Sequence, residues 1–218
     1  KVQVREKLAR VKVFIDYLLG SEPKFLGEKV NIPRKTLTDT ASLKPDTIDS
    51  VAQMPALAKQ VLLALKNKDY TSFANFIHPL EGVRFSPYGF VDTTSDIVLS
   101  PRAFLDELSK KPQTKISWGE YDGTGEPIVL TIEAYFKKFV YNADFLNAPQ
   151  NSWNEMIGSG NSLNNLTTIY KDCAFTEHHF PGFNQKYSGM DWCSLRLVFK
   201  KYNNQIYLVG IVHDQWTI

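Results

Sequence analysis

The chain has 218 residues, 43% hydrophobic and 13% aromatic, enough to bury a full core in one domain. Its 25 basic and 23 acidic residues nearly cancel to a formal net charge of +2, which leaves no electrostatic footprint for nucleic acid or an anionic membrane surface. No apolar run approaches the ~20 residues that span a bilayer, and two cysteines make neither a dense disulfide framework nor a zinc site.

In chain order, Val4, Leu8, Val11, Ile15 and Leu18 recur at spacings of three and four, which predicts an amphipathic helix over 2–19 that Gly20 stops. Its narrow stripe fits either docking on the protein's own body or a seam between two copies of the chain, so a homodimer is one expected partner. From Ser21 to Pro55 the pattern dissolves among Pro23, Gly27, Pro33 and Pro45, an irregular connection. An N-terminal arm and linker, 1–50, is thereby expected ahead of a main domain, 51–218. That domain opens with a helix from Pro55, proline in its first turn, to Lys66. Asp69 N-caps a second helix that ends at His78-Pro79, and Ser100-Pro101 opens a third through Leu108.

Between them, 82–91 reads as extended chain broken by a turn at Pro87. Lys115 to Tyr121 is a short strand, Asp122 to Pro127 a turn, and Ile128-Val129-Leu130 extended again. Thr131 caps a helix whose apolar side is Ile132, Tyr135, Phe136 and Phe139. Residues 142–166 form a polar loop too long for a plain connection, and 167–180 reads as a strand. The chain closes on a hairpin turning at Asn203-Asn204, residues that tolerate the positive φ of a tight turn. Regular pairing about that turn puts Asp214 on one face with Leu195, Leu197, Val212 and Trp216, and His213 on the other with Arg196.

The order helix, helix, short strands, helix, long antiparallel strands resembles the nuclear transport factor 2-like (SnoaL-like, cystatin-like) α+β superfamily. The matching stretches are Asn67-Lys68-Asp69-Tyr70 to Phe76-Ile77-His78-Pro79 and Leu208-Val209-Gly210-Ile211-Val212-His213-Asp214, within 52–218. The fold this implies is a curved antiparallel sheet packed on helices as a cone. The stretches Arg84 to Gly89, Trp118 to Gly123 and His213 to Ile218 also look like uncharacterised exported bacterial proteins and lipoproteins. That second resemblance implies an extracytoplasmic location. With a chain that begins at Lys1, it carries the expectation of a removed leader or a lipid anchor upstream.

Few residues point to chemistry. The turn Asp122 to Glu126 lacks the alternating ligands of a calcium loop, and the glycines match no phosphate-loop pattern. His178 and His179 face opposite ways on a strand, and no G-x-S-x-G turn is present. No cofactor or metal is called for. A carboxylate on an apolar face is either paired structurally or lining a pocket; any ligand is expected to enter where Asp214 and Trp216 end the last strand, with Tyr88, Trp118 and Arg84 near a cone mouth or packed in the core. Cys173 and Cys193 face each other, and form a disulfide, if the turn between the strands centres near Phe183. The expected function is a non-enzymatic binding or interaction module for a small molecule or a protein. The alternative is a small-molecule enzyme of hydrolase or isomerase type with its pocket in the cone.

Overall fold

A computed structural model describes residues 45–217. The expected helix over 2–19 lies outside them. The first described helix, α1, runs Pro45–Asn67 with Pro55 inside it. Proline removes an interior hydrogen bond and clashes with the carbonyl four residues back, which is why the sequence reads as a helix beginning there. A stripe of Met54, Ala58, Val61, Leu62 and Leu65, all buried, offsets that cost by packing into the core.

Asp69 caps α2 (Tyr70–Phe76), its carboxylate accepting from Ser72 N at 3.1 Å. Ser100 caps α3 (Pro101–Ser109), and Thr131 caps α4 (Ile132–Tyr135). The last runs on as a π-turn, Phe136–Val140, which brings Phe136, Phe139 and Val140 all into the core. The three expected N-caps are all present.

Six strands form the main sheet in the order β2-β1-β8-β7-β6-β5: β1 Val83–Ser86, β2 Ile97–Leu99, β5 Gln150–Trp153, β6 Ala174–Phe180, β7 Cys193–Tyr202 and β8 Gln205–Gln215. A separate hairpin pairs β3 (Ile116–Glu120) with β4 (Pro127–Leu130). The architecture is the expected α+β one, a curved sheet against helices. The sheet departs from an all-antiparallel one at β1, which pairs parallel to β8 with Phe85 opposite Ile211. Its two edge strands are the ones the sequence hides. Ile97-Val98-Leu99 is only three residues long, and Gln150-Asn151-Ser152-Trp153 is polar and sits inside the expected loop. A single helical turn, α5 (Leu166–Ile169), replaces the start of the expected strand 167–180.

The β7–β8 hairpin turns at Asn203 (φ 47°) and Asn204 (φ 61°), as expected. Phe199 pairs with Leu208, but Val198 pairs with Gly210, so a β-bulge at Val209 shifts the register. Beyond it every residue of β8 faces the opposite way from regular alternation. Leu195, Leu197, Phe199, Leu208 and Ile211 share the helix-facing core, with His213 among them against Phe139. Asp214 and Val212 turn to the other face, opposite Ser194 and Arg196. The expected partition of the hairpin is thus reversed in its last six residues.

Candidate functional site

The bulge decides the fate of Asp214. Arg196 lies between two carboxylates, 2.8 Å from Asp214 Oδ2 and 3.1 Å from Glu177 Oε1, with all three side chains buried. Arg196 Nη2 also donates to Gly158 O at 2.8 Å, while Ile157 N and Gly158 N donate to Glu177. Burial opposes ionisation of both acids. Glu177, with the guanidinium and two backbone donors, is still held below its ordinary range, whereas burial pushes Asp214 up. Asp214 is therefore a sealed member of an ionic lock that fastens residues 157–158 to the sheet, and not the entrance to a pocket.

The other expected site residues disperse. Trp118 is fully buried, stacked on Tyr135 at 4.0 Å between ring centroids, and donates Nε1–H to Leu130 O. Arg84 donates to the carbonyls of Asp92 and Asp96. Trp216 lines a small recess with Phe183, Met190 and Trp192, and Tyr88 lines a different, larger cavity. The cysteines do not pair. Phe180, not Cys173, stands opposite Cys193, and Cys173 precedes the strand. Seven residues separate them along β6, roughly 23 Å of strand and far beyond disulfide reach. The turn centre lies later than the sequence suggests because the connection 181–192 folds on itself around Asp191, which accepts from Phe183 N and Asn184 N.

The histidines divide between the two faces of the sheet. His179 bonds Ser194 at 2.8 Å on the lock side, and His178 lies on the helix side. His78 Nδ1 accepts from Leu80 N and Glu81 N and so closes the turn after α2. His213 is sealed in the core and bonds Pro87 O at 3.2 Å.

His178 belongs to a recess between α1 and the sheet edge. Ala58 and Leu62 of α1, Leu146, Trp153 of β5, and Thr176 and His178 of β6 line about 440 Å³ of open recess between helix and sheet edge. Alternation along β6 sends Thr176 and His178 to this side, and edge strand β5 supplies Asn151 and Trp153. Asn151 Nδ2 is committed to Ala148 O at 3.1 Å, so its Oδ1 is the acceptor, 2.6 Å from His178 Nδ1. That places the imidazole proton on Nδ1 and leaves Nε2 to accept from Thr176 Oγ1 at 3.1 Å. Burial pushes His178 down to about 4, so the ring is neutral at pH 7. The recess thus offers an apolar wall, a hydrogen-bonded amide–imidazole–hydroxyl chain, and Lys59 among its lining. Among the described residues no group of three or more His, Cys, Asp or Glu is placed to hold a metal ion.

No protein-family model and no curated protein matches the chain. Among solved structures, Aln2 from a Streptomyces species aligns with 79% of this chain and 92% of its own, at 10% identity and a TM-score of 0.32. A protein described as a calcium/calmodulin dependent protein kinase II association domain, from Xanthomonas campestris, aligns with 75% of this chain and 85% of its own, also at 10% identity and 0.32. Likeness at this level assigns no activity.

Sequence reasoning missed the recess because two of its polar members, Asn151 and Ser152, come from Gln150–Trp153, a strand without apolar alternation. The usable signal was the spacing Thr176-x-His178, which puts both side chains on one face of a strand.

Proposed function

We propose that the chain is a non-enzymatic binding module that takes a small, largely apolar ligand in the recess between α1 and the β5–β6 edge. One observation carries this reading. The buried Thr176 and His178 are satisfied, with both nitrogens of His178 engaged by Thr176 and the exposed Asn151, beside the apolar side chains of a recess of about 440 Å³. Such a lining holds and orients a ligand without presenting a free base. Thr176, buried and donating to a neutral imidazole, is poorly placed as a nucleophile. The rest of the helix-facing side is filled by rings, among them Phe73, Phe85, Phe104, Trp118 and Phe136, which favours the recess over any deeper chamber. Lys59 in the lining suits a ligand with an anionic end.

The test uses 8-anilinonaphthalene-1-sulfonate, an apolar anion, as probe. We expect saturable binding to the native protein, with quenching of Trp153, and affinity reduced about tenfold by Leu146→Trp at unchanged melting temperature, a loss of ~1.4 kcal/mol of contact. Binding that Leu146→Trp leaves intact would remove the site.

A further inference from the structure

We propose that the recess between α1 and the β5–β6 edge sorts ligands by charge: it takes monoanionic amphiphiles, an apolar body ending in one carboxylate, and Lys59 sets the preference. This rests on the recess reading above and adds the chemical class of the ligand.

Most polar groups of the lining are already engaged. Asn151 donates from Nδ2 to Ala148 O and accepts at Oδ1 from His178, whose Nε2 accepts from Thr176. Ser152 Oγ donates to Glu155 O. Lys59 is different. Among the described residues its ammonium has no ion-pair or hydrogen-bond partner, whereas Lys66, Lys110 and Lys200 each hold a carboxylate. The described lining contains no aspartate or glutamate, and burial keeps His178 neutral. Lys59 is therefore the one charge that a bound molecule meets there.

The place of Lys59 on α1 fixes where that charge lies. Pro55, Ala58, Lys59 and Leu62 are spaced by three and four residues, so they share one face of the helix and line the recess together. Helical side chains lean toward the N-terminus, which runs the Lys59 stem toward the exposed Pro55 and keeps the ammonium at the rim. Ala58, Leu62, Leu146 and Trp153 form the apolar part behind it. A molecule that fills this part presents its polar end to a cation at the mouth. One carboxylate matches one ammonium. A second negative charge has no partner in the lining, and a cationic head meets repulsion. A volume of about 440 Å³ is at the small end of ligand sites, which keeps the apolar body to the size of roughly two rings.

Three probes of one shape and different charge test the class: naphthalene-2-carboxylate, naphthalene-2-methanol and naphthalene-2-methylammonium, each titrated calorimetrically into the whole chain at pH 7. We expect the carboxylate to bind tightest, the alcohol about threefold to fivefold weaker, as one exposed ion pair allows, and the ammonium weaker still. The preference should shrink in concentrated salt. Lys59→Met keeps an apolar stem and removes the charge, at an exposed position where the fold is indifferent to it. It should bring the carboxylate down to the alcohol and leave the alcohol unchanged, while Lys59→Glu should place the ammonium first. Leu146→Trp should weaken all three alike. Binding of none of the three, or binding that Leu146→Trp leaves intact, overturns the recess reading and this one together. Equal binding of all three, or a preference that survives in Lys59→Met, overturns the charge selection and leaves the recess standing.

Discussion

The two faces of the main sheet are buried in different ways. Toward the helices, Leu195, Leu197, Phe199, Leu208 and Ile211 meet a shell of aromatic rings, and stability comes from apolar area and packing. Toward residues 154–170, a smaller apolar group of Val91, Leu166, Phe175, Val198, Val209 and Val212 lies beside the Glu177–Arg196–Asp214 lock. Alternate residues of single strands supply both: Arg196 and Val198 point one way, Leu195 and Leu197 the other. Helices bring their own apolar stripes to a sheet. A polar loop such as 154–164 does not, and it is held by charge-assisted hydrogen bonds to its backbone instead. One face tolerates loss of area gradually. The other depends on Arg196 keeping both carboxylates and the Gly158 carbonyl as partners.

The sharpest way to break this comparison is Arg196→Met. It leaves two carboxylates facing each other in a dry site, and breaking such a pair from one side costs ~3–5 kcal/mol. Urea unfolding should show that loss, together with early amide exchange at Ile157 and Gly158. A loss under about 1 kcal/mol would mean the lock is ornamental and the loop is held by its apolar contacts.

Acid should act first on the buried histidines. His178 and His213 both lie on the helix side and are pushed down by burial to about 4, against an ordinary 6.5. Between those values the unfolded chain binds protons that the folded chain refuses, so stability falls as pH drops from about 6.5 toward 4. Asp96, pushed up by burial to about 6 from 3.8, works in the opposite sense over nearly the same range. His179 is also pushed down by burial, so the buried histidines outweigh Asp96 and stability falls on acidification. Unfolding free energy followed between pH 4 and 7.5 should show it, with a smaller slope in His178→Gln and in His213→Gln. An identical slope in both variants would place the acid sensitivity elsewhere.

The smallest of these effects concerns a glycine. A Cβ on Gly158 would lie 2.4 Å from Ser194 Oγ, 2.8 Å from the Trp192 ring and 3.0 Å from Glu177 Oε1. Gly158→Ala should cost ~1–3 kcal/mol through overpacking and lift the loop locally. Thermal unfolding gives the cost, and faster exchange confined to 154–164 would distinguish local lifting from global damage. A variant as stable as the parent would show that the loop re-seats without Gly158.

Much of the local structure was legible from residue types alone. Asp69, Ser100 and Thr131 announce helix starts because a side-chain oxygen at those positions satisfies otherwise orphaned backbone donors. Asn203-Asn204 announces the turn because both residues accept positive φ. The opposite facing of His178 and His179 follows from strand alternation. The site was not legible, for reasons that lie in tertiary contacts. Val209 carries no bulge signal, yet the one residue it inserts reverses the facing of Asp214 and His213, burying one in an ion pair and the other among rings. Pro55 stops a helix in isolation and is carried through one whose flanking residues pack into the core. Gln150–Trp153 has no strand pattern and becomes an edge strand because β6 offers it a ladder. Short-range sterics and capping chemistry act within a few residues and can be read along the chain. Register, pairing partner and the company of a buried charge depend on groups dozens of residues away, so only the folded structure decided them.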